Sequence, residues 1–172
     1  MLSAFNNRNV SKLYLQRHGW VKPEYELRDD LHSYGKLTFK TVSLKNRGMA
    51  ELAGSVLNFK FSDTWKREIS VTDENENLIG TLKSKTFSFT STFTLTDGTQ
   101  YILKRTSFWK ASYEWENSTN GRLITIKLNP FSSTDEVFIE QSTVPLHIFP
   151  LLTFVGFYLI ISRQRQAAAA GV

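Results

Sequence analysis

The chain has 172 residues, of which 41% are hydrophobic and 22% charged, an ordinary globular balance with enough length for one core. It has no cysteine, which excludes a disulfide framework and the cysteine-based zinc sites. The net charge of +5 is compatible with an anionic lipid or nucleic-acid partner, and equally with neither.

The first residues, Met1 to Arg8, hold no apolar run of signal-peptide length, so the expected compartment is the cytosol. The sequons at Asn9-Val10-Ser11 and Asn117-Ser118-Thr119 then read as chance matches. From about residue 12 to 142 the pattern is period two. An early loop is expected over Arg17–Pro23. Short alternating pieces follow at Tyr25/Leu27 and Leu37/Phe39, with a turn in Ala50–Gly54. Leu57, Phe59 and Phe61 alternate with Asn58, Lys60 and Ser62. Ile69/Val71 and Leu78–Leu82 are separated by the polar run Asp73-Glu74-Asn75-Glu76-Asn77.

The cleanest alternation places Phe87, Phe89, Phe93 and Leu95 on one face of a strand. Thr86, Ser88, Thr90, Thr92 and Thr94 take the other, so one face is core and one is wet. Asp97-Gly98 and Asn120-Gly121 tolerate the positive φ of tight hairpin turns. They precede Tyr101–Leu103 and the alternating Ile124, Ile126 and Leu128; Tyr113/Trp115 lies between. Strand spacing of this kind over the first 142 residues predicts on the order of ten to twelve strands. That many antiparallel strands close or pack double, because open edges aggregate.

The period then changes. Val144 to Ile161 is apolar all round, and such a helix lies inside a core or inside a membrane. A single-pass C-terminal span is open at this length. Three features favour the core. Arg163 and Arg165 follow the run, which is the wrong sign for a translocated tail. Pro150, read as the first helical residue or a kink, leaves a regular helix of about 19 Å against a ~30 Å hydrocarbon layer. A barrel of a dozen strands also needs its interior filled. The expected organisation is one domain over 1–172: strands in 12–142, a central helix in 144–162 and a disordered tail in 163–172.

Little in the chain carries chemistry. Asp73, Asn75 and Asn77 have the first spacings of a calcium loop, but Leu78 and Ser84 stand where glycine and glutamate belong, so a polar turn is expected. His18, His32 and His147 match no ligand spacing, and no nucleophile motif accompanies them. The expectation is a non-enzyme without metal or cofactor; an enzyme whose site is assembled only in three dimensions is the second alternative. Lys83, Lys85, Lys104, Arg105 and Lys110 fall on strands that can neighbour one another, beside Phe108 and Trp109. They form a candidate patch for anionic lipid headgroups, or a solvated face that keeps the barrel soluble. No nucleic-acid motif is present, and a monomer is expected.

Many short strands closed by one apolar C-terminal helix resembles the tubby C-terminal-like superfamily, which includes LURP-one-related proteins and phospholipid scramblases. The resemblance rests on Glu68 to Gly80, Thr96 to Tyr101 and the closing apolar segment, and covers roughly Tyr25 to Ile161. Where family members commonly have glycine at the first hairpin tip, this chain has Asn77. The resemblance implies a closed barrel threaded by its last helix, and for some members phosphoinositide binding or lipid movement. No phosphoinositide-binding motif carries over residue by residue.

Overall fold

The computed structural model describes residues 1–6, 9–40, 47–62, 67–85, 89–107, 109–140 and 142–171. Twelve strands form a closed antiparallel barrel, β1 (Lys12–His18), β2 (Glu24–Arg28), β3 (Ser33–Lys40), β4 (Arg47–Leu52), β5 (Ser55–Phe61), β6 (Glu68–Thr72), β7 (Leu78–Ser84), β8 (Thr90–Leu95), β9 (Gln100–Ser107), β10 (Ser112–Asn117), β11 (Gly121–Lys127) and β12 (Thr134–Ile139). Each strand pairs with its sequence neighbours, and β12 closes on β1 with Leu13 opposite Val137. Among the described residues a single helix, α1 (Ile148–Ala169), follows.

The alternation read from the sequence sets which side chains point inward. Leu13 and Leu15, Leu57 and Phe59, Ile69 and Val71, and Ile124 and Ile126 are all buried, while their neighbours along most strands are half-exposed. Closure leaves no open sheet edge, so every strand finds hydrogen-bond partners on both sides. The turns fall where the polar and glycine dipeptides predicted them. Asp73 accepts hydrogen bonds from the amides of Asn75 and Asn77 and from the Asn77 side chain, so its carboxylate is spent on closing the β6–β7 turn.

The interior is occupied by α1. All fifteen residues from Ile148 to Ser162 are buried, on every face of the helix. Tyr158 stacks on Phe59 at 4.9 Å and on Phe39 at 5.3 Å, and Tyr25 meets Phe157 edge-on at 4.9 Å. Glycines on strand and helix permit this close approach. A Cβ at Gly48 would lie 2.5 Å from the Tyr158 ring, and one at Gly156 would lie 2.6 Å from Trp115 Nε1. The buried Thr153 hydroxyl donates to the Phe149 carbonyl at 2.8 Å, which removes an otherwise costly orphan. Among the described residues no helix is long and apolar enough to cross a membrane. The span considered for 144–161 therefore gives way to a helix enclosed by the barrel.

Several local expectations are corrected. The helix starts at Ile148, so Pro150 is its third residue and causes no break, because the first turn needs no amide donor there. Residues 163–169, expected as disordered tail, continue the helix. Polarity begins at Ser162, but arginine, glutamine and alanine are good helix formers, and Arg165 packs its guanidinium 4.1 Å over Phe39. Arg17 and His18 belong to β1, which narrows the early loop to residues 19–23. Phe89 shares the parity of Phe93 but precedes the first paired residue of β8 and is 57% exposed. Thr86, Phe87, Ser88 and Phe108 lie outside the described residues.

Candidate functional site

A twelve-stranded meander sorts its connections. Those after odd-numbered strands lie at one end of the barrel, and those after even-numbered strands at the other. The helix enters at the second end, where Phe5 covers its first turn by an edge contact to Phe149 at 6.0 Å, and its last turns leave by the first. We call these the entry and exit ends.

The two ends differ in charge. Among the described residues, the entry-end connections and the segment leading into α1 hold Asp29, Asp30, Asp73, Glu74, Glu76, Asp97 and Glu140, with no lysine or arginine. The exit-end connections hold Lys22, Arg67, Lys85 and Lys110, with no acid. Three of these acids, Asp29, Asp73 and Asp97, are held ionised by their turns. Burial opposes the charge on Asp29, but hydrogen bonds from Tyr34 and the amides of Leu31 and His32 keep its carboxyl below the ordinary range. Hydrogen bonds from Asn77 and Thr99 likewise lower the carboxyls of Asp73 and Asp97.

The five basic residues read from the sequence are placed in two ways. Lys83 and Lys104 lie on the outer wall next to the exit end, and Lys85 follows β7 in the exit-end connection to β8. Register sets Lys83 opposite Thr92 and Lys104 opposite Thr90, and the Lys85 amide donates to the Thr90 carbonyl at 3.3 Å. Both wall lysines face acids, Lys83 with Glu68 at 3.4 Å and Lys104 with Glu116. Lys110 sits in the β9–β10 turn at the exit end. Arg105 turns inward over the rim, its guanidinium 5.3 Å from the Phe89 ring and 5.7 Å from that of Tyr113.

Arg105 also borders a feature that the sequence did not reveal. A cleft of about 310 Å³ opens at the exit end between β9, β10 and the last turns of α1. Its walls are Phe89, Leu103, Tyr113, Leu159 and Ile160, and two guanidiniums, Arg105 and Arg163, flank it. Burial pushes the Arg163 pKa down, with Tyr113 opposing weakly. A polar-mouthed apolar cleft with only cations among its charged groups suits an anionic amphiphile. The sequence-read patch lacks Arg163 because polarity begins at Ser162; the continuing helix propensity of residues 163–169 is the signal that points to it.

A second cleft at the same end, about 270 Å³, contains Arg17 and Asp135. Burial raises the Asp135 carboxyl to about 6, against a hydrogen bond from the Asn129 amide at 2.7 Å and the charge of Arg17. The histidines are dispersed. His18 pairs with Glu26 at 2.9 Å on the wall, His32 lies 3.6 Å from Asp29 at the entry end, and His147 precedes the helix. Among the described residues no group of three or more potential ligands is placed to hold a metal ion. No family model, curated protein or solved structure matches the chain.

Proposed function

We propose that the chain is a non-enzymatic, tubby-like barrel module that binds anionic phospholipid headgroups at the cytoplasmic surface of a membrane. The observation that carries this reading is the segregation of charge between the two ends. Lys22, Arg67, Lys85 and Lys110 define one basic end, and the acids of the opposite connections define the other. A barrel with that axis presents its basic end to a negative leaflet and its acidic end to water. The wall lysines contribute less, since Glu68 and Glu116 already balance Lys83 and Lys104. The resemblance to tubby-like barrels supports the same reading at the level of fold.

Flotation with phosphatidylcholine vesicles, with and without phosphatidylserine or phosphoinositide, tests it. Each lysine near an anionic surface contributes about 1 kcal/mol. Lys22→Gln, Lys85→Gln and Lys110→Gln together should therefore weaken partitioning by roughly two orders of magnitude. Equal recovery with neutral and anionic vesicles at physiological salt would remove the reading.

A further inference from the structure

The exit end carries a second asymmetry, in aromatic exposure. Four aromatic side chains of the described residues are strongly exposed: Trp20 at 89%, Phe89 at 57%, Trp109 at 94% and Phe131 at 98%. All four lie on exit-end connections, each on a different one. Val21, exposed at 92%, stands beside Trp20. In barrel order those connections join β2–β1, β12–β11, β10–β9 and β8–β7, a continuous arc of eight strands. At ~4.8 Å per strand the arc runs on the order of 35 Å along the rim. Scattered exposed apolar residues need no explanation, but aromatic tips gathered on one rim do.

We infer that the exit end is a membrane-insertion surface: the barrel stands end-on, and the Trp20, Phe89, Trp109 and Phe131 tips enter the headgroup–acyl boundary of an anionic bilayer. This rests on the lipid-binding reading above and adds its geometry. Charge and aromaticity coincide on the rim. Lys22 follows Trp20 and Val21 in one connection, Lys110 follows Trp109 in another, and Arg17 and Arg105 lie 5.1 and 5.3 Å from the Trp20 and Phe89 rings. Tryptophan favours the bilayer interface because its ring is apolar and its N–H can still reach a polar partner. Neighbouring cations meet lipid phosphates at the same depth. The tips belong to separate turns and do not form one groove or flat face, which suits a fluid surface that closes around each. Anionic lipid, with no acid among the described exit-end connections to repel it, is the occupant that matches both properties.

The experiment uses the full chain in a Trp65→Phe background, so that Trp20, Trp109 and the fully buried Trp115 are the emitters. Vesicles contain two parts phosphatidylcholine to one part phosphatidylserine, with a brominated phosphatidylcholine replacing the ordinary one in a second set. Trp20 and Trp109 should be quenched by the brominated lipid and shift to the blue. Trp20→Ala and Trp109→Ala should each weaken partitioning roughly tenfold and raise its sensitivity to salt. Leu31→Ala, at the equally exposed entry end, should change nothing. Absence of wild-type flotation would sink the lipid reading itself. Flotation with unquenched tryptophans, or with variants that bind as well as wild type, would leave that reading standing and overturn insertion. A dimer seen in sedimentation without vesicles and lost in Trp20→Ala, together with no flotation, would assign the surface to a second copy of the chain and overturn the proposal. Quenching is read on chains with every exit-end alanine target intact, so the outcome does not depend on how well the alanine variants fold.

Discussion

Replacing Gly156 by alanine tests the threaded helix, because packing and propensity predict opposite signs. An ideal Cβ at this position would stand 2.6 Å from Trp115 Nε1 and 3.2 Å from its Cε2. Trp115 is fully buried and meets Phe93 at 6.4 Å, so the indole has little room to withdraw. Helix or ring must shift by several tenths of an ångström, and overpacking of this kind costs about 1–3 kcal/mol. Alanine in a helix interior returns up to about 1 kcal/mol relative to glycine. With the full propensity gain returned, the net expectation is a loss of up to about 2 kcal/mol, which in a chain of this size lowers the Tm by up to about 8 °C. Urea unfolding with Trp115 fluorescence as one probe and circular dichroism as another measures it. The double variant with Trp115→Phe should recover part of the loss. The smaller ring relieves the contact and also removes a buried indole N–H that has no hydrogen-bond partner. If Gly156→Ala instead stabilises the protein, as in a solvent-exposed helix, the helix does not pass against Trp115 and the threaded arrangement is wrong.

Three further outcomes follow from the same contacts. Asp135 has its pKa raised to about 6 by burial, so the native state holds its proton more tightly than the unfolded chain. Its contribution is therefore present below the unfolded value near pH 4 and lost as pH rises through about 6. After discounting for its partial exposure, the ionised form costs about 1–2 kcal/mol at neutral pH. Asp135→Asn should then raise the urea midpoint at pH 7.5 and leave it nearly unchanged at pH 3, below the unfolded value; a lower midpoint at pH 7.5 would contradict the assignment. Truncation after Thr143 removes every buried residue of α1 and should abolish cooperative thermal unfolding; a truncated chain with a sharp transition would show that the barrel needs no filling. Lys83→Gln with Lys104→Gln should reduce vesicle recovery less than Lys85→Gln with Lys110→Gln, since the first pair already faces acids. The reverse order in the flotation assay would move the lipid surface to the wall.

The closed barrel was legible because its constraints are local. Leu57/Phe59 and Ile124/Ile126 alternate with polar neighbours, and Asp97-Gly98 and Asn120-Gly121 mark tight turns, so strand count follows from pattern, and edge avoidance restricts the sheet to closing or packing double. The helix was legible as core for a similar reason: a segment apolar on all sides cannot rest on a surface. What the residues did not display directly was the end-to-end polarity. The five cations chosen from the sequence were grouped by strand adjacency, which is a property of the wall. Pairing brings Lys83 and Lys104 together on that wall, while Lys85, Arg105 and Lys110 lie at the rim. The rim is governed by another parity. In a meander each connection alternates ends, so Trp20, Phe89, Trp109 and Phe131 converge although they are spread over more than a hundred residues, and the acids of residues 29–30, 73–76 and 97 converge opposite them. Reading the connections two by two would have found both sets. The onset of polarity at Ser162 hides Arg163 in the same way, because it resembles the end of order. It is better understood as the level at which the helix leaves the barrel: fifteen buried residues bring α1 through the interior, and the first arginine after them stands at the mouth. The apolar helix therefore does more than fill the barrel. Its length places Arg163 beside Phe89 at the exit-end cleft, so the element that excludes water from the core also adds to the charge of that end.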